Sequence, residues 1–226
     1  MALVKLWDMK SAAPKRDKNA KPARPPKPAR LKNEVRIIGG TWRRTRLPVA
    51  DRAGLRPTPD RVRETLFNWL ASLAGGTGGE LPGWRCFDVF AGTGALGFEA
   101  ASRGAAEVTM CETDAALVAQ MLATKTKLSA AAVHVTRGSG VSALERATAR
   151  SLQVVFIDPP FTEVALYGPA LSAAARAVQA DGVVYLEAPS HWTEAELAPL
   201  GLVEFRHLRA GAVHAHLLQL VQPAPA

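Results

Sequence analysis

A doubly wound α/β fold, with a mostly parallel sheet flanked by helices, is what this sequence predicts, on three observations. Apolar segments of five residues alternate with helical stretches from Trp84 onward. A glycine turn, AGTGALG at 91–97, follows the first of these segments and opens a helix. The chain then closes on two alternating strands around a short polar connection. Parallel strands buried on both faces read as continuous apolar runs, and their crossovers need helices.

The core elements follow in order. CFDVF (86–90) is the first buried strand, and Leu96–Ser102 starts its helix. VTMCE (108–112) is the second strand, with a helix over Ala115–Leu128. VHVTR (133–137) is the third, followed by a helix from about Ser142 to Thr148. VVFID (154–158) is the fourth, followed by a helix from Val164 to Val178, and VVYLE (183–187) is the fifth. LVEFRHL and VHAHLLQLV, joined by Arg209–Ala212, make an antiparallel hairpin closing the sheet edge. The expectation is a Rossmann-like, seven-stranded, mostly parallel sheet over residues 84–222.

Ahead of this core lies a segment of different character. Residues 1–34 are rich in Lys, Ala and Pro without apolar periodicity, which predicts a disordered basic tail. Residues 35–83 form an extension. VRIIGGTWRRTRLPV reads as a hairpin turning at Gly39–Gly40. In LRPTPDRVRETLFNWLASL, Thr58 suits an N-cap, Pro59 the first helical position, and Val62, Leu66, Trp69, Leu70 and Leu73 one apolar face. Trp42, Trp69 and Trp84 are expected to pack the join to the core. The loop AGGTGGELPG (74–83) lacks the Lys-Ser/Thr of a phosphate-binding loop and reads as a linker.

Charge divides the chain. The net +8 over 226 residues is uneven: residues 1–64 carry 18 Lys and Arg against 6 Asp and Glu, and the remainder carries 10 against 14. A segregated positive segment is what a polyanion-binding arm needs, because phosphate contacts supply most non-specific affinity. No apolar stretch suits a bilayer span and no secretory leader is recognisable. Cys86 and Cys111, each in a buried strand, suit a reduced, cytoplasmic protein. His214 and His216 share one strand face, but no third ligand stands near them in sequence, so no metal site is expected.

Two clusters carry chemistry. The first is Asp88 with the turn containing Gly92, Gly94 and Gly97, where backbone can approach a ligand and a helix N-terminus offers amide donors. Glu112, about twenty residues on, suits the two hydroxyls of a ribose. This half fits a nicotinamide enzyme and a methyltransferase equally. The second is Asp158-Pro159-Pro160-Phe161 at the carboxyl end of the fourth strand. Two prolines stiffen the loop and leave carbonyl acceptors. A carboxylate beside a rigid carbonyl pairs with the two hydrogens of an amino group, and Phe161 offers a face for a planar base. That set fits an exocyclic amine on a heterocycle, adenine or guanine.

Asp158-Pro-Pro-Phe resembles the (Asp/Asn)-Pro-Pro-(Tyr/Phe) signature of amino-methyltransferases, and DVFAGTGALGFEA resembles their cofactor motif. The segment RIIGGTWRRTRLPV…GLRPTPDRVRETLFNWL resembles the RsmD family of bacterial methyltransferases that modify a guanine N2 in 16S ribosomal RNA. The similarity runs from about Val35 to Val221. It implies a class I S-adenosyl-L-methionine-dependent fold in which Asp88, Gly92 and Gly94 hold the methionine part of the cofactor and Glu112 its ribose. It further implies that Arg56, Thr58 and Arg61 approach the cofactor, and that Asp158 and the Pro159 carbonyl hold the target amine while Phe161 stacks. Members often carry Asn or Asp after the third strand for the adenine amine; Ser139 stands there in this chain. Arg36, Trp42, Arg43, Arg44 and Arg46 would then meet RNA, within a partly assembled small subunit, with the protein a monomer. An adenine-N6 methyltransferase and a non-catalytic ribosome-assembly factor are the alternatives.

Overall fold

The computed structural model of the chain describes residues 34–49, 58–75 and 79–222. The basic tail up to residue 33, Arg56 and the centre of the glycine linker lie outside the described residues.

Two short antiparallel strands, β1 (Glu34–Arg36) and β2 (Arg46–Pro48), open the described chain, and α1 (Asp60–Leu73) follows. The core comprises β3 (Arg85–Asp88), α2 (Ala95–Ser102), β4 (Glu107–Glu112), α3 (Ala115–Leu128), β5 (Val133–Arg137), α4 (Gly140–Glu145) and β6 (Leu152–Ile157). It continues with α5 (Tyr167–Ala177), β7 (Val178–Ala188), α6 (Glu194–Leu197), β8 (Leu202–Ala210) and β9 (Val213–Leu220). The seven core strands form one sheet in the order β5-β4-β3-β6-β7-β9-β8, parallel through β7, with β9 running against both its neighbours. The fold class and the closing hairpin are those expected.

Side-chain alternation divides the strands between two apolar layers. Val154, Phe156, Tyr185 and Leu217 face the layer built with α1, α2 and α3, whereas Val155, Ile157, Val184, Leu186 and Leu218 face that of α4, α5 and α6. Trp42, Trp69 and Trp84 pack at the margin of the first layer, as their spacing suggested. Cys86 and Cys111 are buried free thiols.

Several boundaries differ from expectation for local reasons. The first core strand ends at Asp88 rather than Phe90, because the chain already turns toward the glycines. The helix after β5 starts earlier, at Gly140, because Ser139 accepts from Ser142 N (3.2 Å) and caps it. β7 begins at Val178, directly at the end of α5, with a register irregularity against β6. The final turn shrinks to Gly211–Ala212. Helix α6, closed by a Thr193–Glu196 capping box, went unread. Thr58 does not cap α1: Pro59 holds that position with no side-chain bond, and the Thr58 hydroxyl turns inward.

The N-terminal extension is fastened to the core by one buried carboxylate. Glu99, in α2 and without exposure, accepts from Ile38 N (2.7 Å), Gly39 N (2.8 Å) and Arg103 Nε (2.8 Å). Arg63 of α1, equally buried, lies 3.8 Å from it and donates to Thr58 O (3.2 Å), Arg36 O (2.9 Å) and Asp60 Oδ1 (2.7 Å). The loop closing onto α2 demands glycine at 40: its φ is +71°, and a Cβ there would sit 1.8 Å from Ser102 O. Removing one partner from a buried charged network leaves the others desolvated, at about 3–5 kcal/mol. Glu99→Ala should therefore destabilise the full chain by about that amount in urea unfolding; a loss within 1 kcal/mol, as for an exposed pair, would refute the role.

Candidate active site

Strand β3 has β4 on one side and β6 on the other, so the chain reverses its winding direction at β3, the position at whose carboxyl end open α/β sheets bind ligands. Four acids line that edge in neighbouring strands: Glu112 ends β4, Asp88 ends β3, Asp158 follows β6, and Glu187 lies near the end of β7.

Glu112 is fixed by backbone. It accepts from Gly92 N (2.9 Å), Thr113 N (2.7 Å) and Asp114 N (2.9 Å), which joins the end of β4 to the glycine turn. Gly92 and Gly94 adopt φ of +53° and +77°, and a Cβ on Gly94 would press within 2.8 Å of the Phe98 ring. Gly97 N donates to Asp88 Oδ2 (3.2 Å) beneath the turn. Asp88, Gly92, Gly94 and Glu112 thus lie together at the ends of β3 and β4.

Asp158 and Glu187 meet under Thr58, which is buried and whose hydroxyl donates to Asp158 Oδ2 at 3.4 Å. Residue 58 belongs to the extension and Asp158 to the core, so the active-site edge is completed from the N-terminal side. Tyr185 OH donates to Glu187 Oε1 (2.7 Å). Burial raises the carboxyl of Asp158 well above the carboxylate range, and the charges of Glu187 and Asp88 push it further. Glu187 is raised by burial too, with the Tyr185 and Thr58 hydroxyls opposing. Burial lifts Asp88 to about 7, opposed by the Gly97 and Phe90 amides and helped by the charge of Glu112. A crowded row of acids that resist ionisation has the electrostatics of a pocket for a cationic or proton-donating ligand.

Pro159 is buried, and Phe161 is half-exposed. The other anticipated residues are placed more loosely. Arg61 is exposed on α1, and Ser139 caps α4 at an exposed position. Arg36 and Arg46 already hold carboxylates, Asp60 at 3.2 Å and Glu34 at 2.9 Å, while Arg43 and Arg44 are exposed in the connection between β1 and β2. Trp42 is half-buried, its amide bonded to Ser102 Oγ (2.9 Å).

Three site residues escaped sequence reasoning. Glu187 carried a usable signal, a lone acid in the apolar run VVYLEA, since unpartnered carboxylates are almost never buried. Tyr185 is its hydrogen-bond partner. Tyr167, at the start of α5, has a buried hydroxyl without a protein partner, and its pKa is raised by burial and by the charges of Asp158 and Glu187. Elsewhere, His216 lies in one cluster with His191 and His207, a grouping that does not include His214.

Residues 35–219 match the family model described as Conserved hypothetical protein 95. Ribosomal RNA small subunit methyltransferase D of Escherichia coli K12 is 46% identical over 129 residues, covering 57% of this chain and 61% of that protein. The protein of the same name from Haemophilus influenzae is 36% identical over 187 residues, 77% of this chain and 93% of its own length. The solved structure of yhhF from Escherichia coli matches with a TM-score of 0.68 at 37% identity, covering 83% of this chain and 98% of that one. The aligned stretch therefore spans about three fifths of the Escherichia coli relative and nearly all of the Haemophilus one.

The raised carboxyl of Asp88 sets a pH dependence. The folded chain keeps a proton here that the unfolded chain releases above 3.8, so this contribution is complete below 3.8 and lost as pH rises through about 7. The urea midpoint of the ligand-free chain should fall across that interval, and less steeply in Asp88→Asn; equal slopes in the two proteins would contradict it.

Proposed function

We propose that this chain, which belongs to the RsmD family of the matched model, methylates the N2 amine of a guanine in 16S ribosomal RNA with S-adenosyl-L-methionine as methyl donor. The observation that carries the reading is Asp158-Pro159-Pro160-Phe161 standing beside Asp88 on the strand edge where the winding reverses. The Escherichia coli and Haemophilus relatives are named as small-subunit ribosomal RNA methyltransferases, which supports it.

The residues present fit the cofactor. Glu112 has an acceptor surface suited to a ribose diol, the left-handed turn at Gly92 and Gly94 admits close approach, and Asp88 offers negative charge to an ammonium group. Thr58 would close this side, with Arg56 and Arg61 from the same segment and Ser139 toward an adenine. When bound, the cofactor supplies an electrophilic methyl group on a sulfonium.

This chain's part is then mainly alignment, the proximity effect that turns an encounter into a positioned reaction. A guanine amine is a weak nucleophile because its lone pair is delocalised into the ring. The Asp158 carboxylate and the Pro159 carbonyl each accept one amine hydrogen, which favours a pyramidal nitrogen with its lone pair directed outward. Phe161 holds the base plane. Asp158, with its proton affinity raised by burial and by Glu187, then takes the proton that the methylated amine releases. The base must be unstacked to enter. Arg43 and Arg44, with Arg36, Arg46 and Trp42, would hold the RNA, in a partly assembled subunit and as a monomer in the cytoplasm.

Asp158→Ala should lower labelled methyl transfer to small-subunit RNA by roughly 100-fold or more while cofactor binding, followed by calorimetry, persists. Wild-type rates in that variant would sink the mechanism, and transfer to DNA in preference to RNA would replace the substrate.

A further inference from the structure

The hairpin at the far end of the sheet assembles a second cluster of reactive side chains. Pairing of β8 with β9 sets His207 opposite His216 and Arg209 opposite His214. The segment leaving β7 brings His191 onto the same face, with ring centroids 4.6 Å from His207 and 5.1 Å from His216. One nitrogen from each of His191, His207 and His216 lies within 4.8 Å of the other two. Four of the five histidines of the chain are gathered here, and the fifth, His134, is on β5 at the opposite edge.

Glu204 completes the group. Its Oε2 accepts from His216 Nδ1 (2.7 Å) and contacts His191 Nε2 (3.0 Å), so one carboxylate orients two imidazoles. With Nδ1–H spent on Glu204, His216 keeps the Nε2 lone pair, engaged only by a long 3.5 Å contact from Trp192 N. His207 Nε2 lies 3.1 Å from His214 Nδ1. A carboxylate bonded behind an imidazole is the arrangement that fixes the tautomer and orientation of a metal-binding histidine. Imidazole sets suit zinc, copper and nickel rather than magnesium or calcium. Around zinc, with Zn–N of about 2.0–2.1 Å, tetrahedral nitrogens stand roughly 3.4 Å apart. His191 and His207 are both exposed, and inward rotation of their rings would close that difference.

We propose that His191, His207 and His216, supported by Glu204, bind one divalent transition-metal ion of the zinc class. The ion would clasp the segment after β7 to the hairpin. That segment also carries Trp192, whose ring packs on Tyr167 at 5.8 Å, so the clasp stiffens the wall beside Asp158 without entering the reaction.

The test is calorimetric titration of the tag-free full chain with Zn(II), together with Co(II) as a visible-absorption probe. One saturable ion per chain is expected, with a tetrahedral Co(II) spectrum. His207→Ala, at an exposed position, should weaken Zn(II) binding by at least the roughly 10- to 100-fold that loss of an outer-shell partner costs. His134→Ala should leave it unchanged. Absence of saturable binding, or equal affinity in the wild type and His207→Ala, would overturn the proposal.

Discussion

Glu99 lies without exposure in a helix that is otherwise apolar, and a carboxylate in that position is tolerable only if donors surround it. The donors come from outside the sheet: two amides of the extension, at residues 38 and 39, and the guanidinium groups of Arg103 and Arg63. Satisfying one buried charge therefore docks the N-terminal segment onto the core. Arg63 carries the constraint onward, because its Nε donates to Thr58 O and sets the residue that meets Asp158. The chemistry at the strand ends depends in this way on a contact that touches no reacting atom.

The site itself is organised by repulsion. Glu112, Asp88, Asp158 and Glu187 sit on neighbouring strands; burial raises the last three, and neighbouring acids push Asp88 and Asp158 further. Glu112 is held by three backbone amides, and it is the acid that the proposed function assigns to neutral hydroxyls. Under the proposed function, Asp88 would face an ammonium group and Asp158 an amine proton. Acids kept protonated in this way would ionise beside a cationic ligand, which couples its binding to proton release.

Much of the core was legible because its signals are local. Apolar runs of five residues marked the parallel strands, and α3 and β5 fall on the expected bounds, Ala115–Leu128 and Val133–Arg137. The glycine turn and Asp158-Pro159-Pro160-Phe161 fell at strand ends, since turn chemistry is written in adjacent residues. What stayed hidden depends on register between distant segments. Thr58 looked like a helix cap from its neighbours, yet its hydroxyl is taken by a carboxylate 100 positions away. Nothing in the local sequence joins Arg63 to Glu99, and only packing shows that each makes the other possible. The histidines were separated by strand length and came together through hairpin pairing, which no spacing rule in one strand reveals.

The central claim is that Asp158 and the Pro159 carbonyl select an exocyclic guanine amine. Mass-spectrometric mapping of methylated nucleotides in small-subunit RNA, from cells lacking the protein and again after restoring it, tests this most directly. One N2-methylguanosine should disappear with the protein and return with the wild-type chain, though not with Asp158→Ala. An unchanged methylation pattern, or a lost methyl group located on adenine or on a ring carbon, would contradict it.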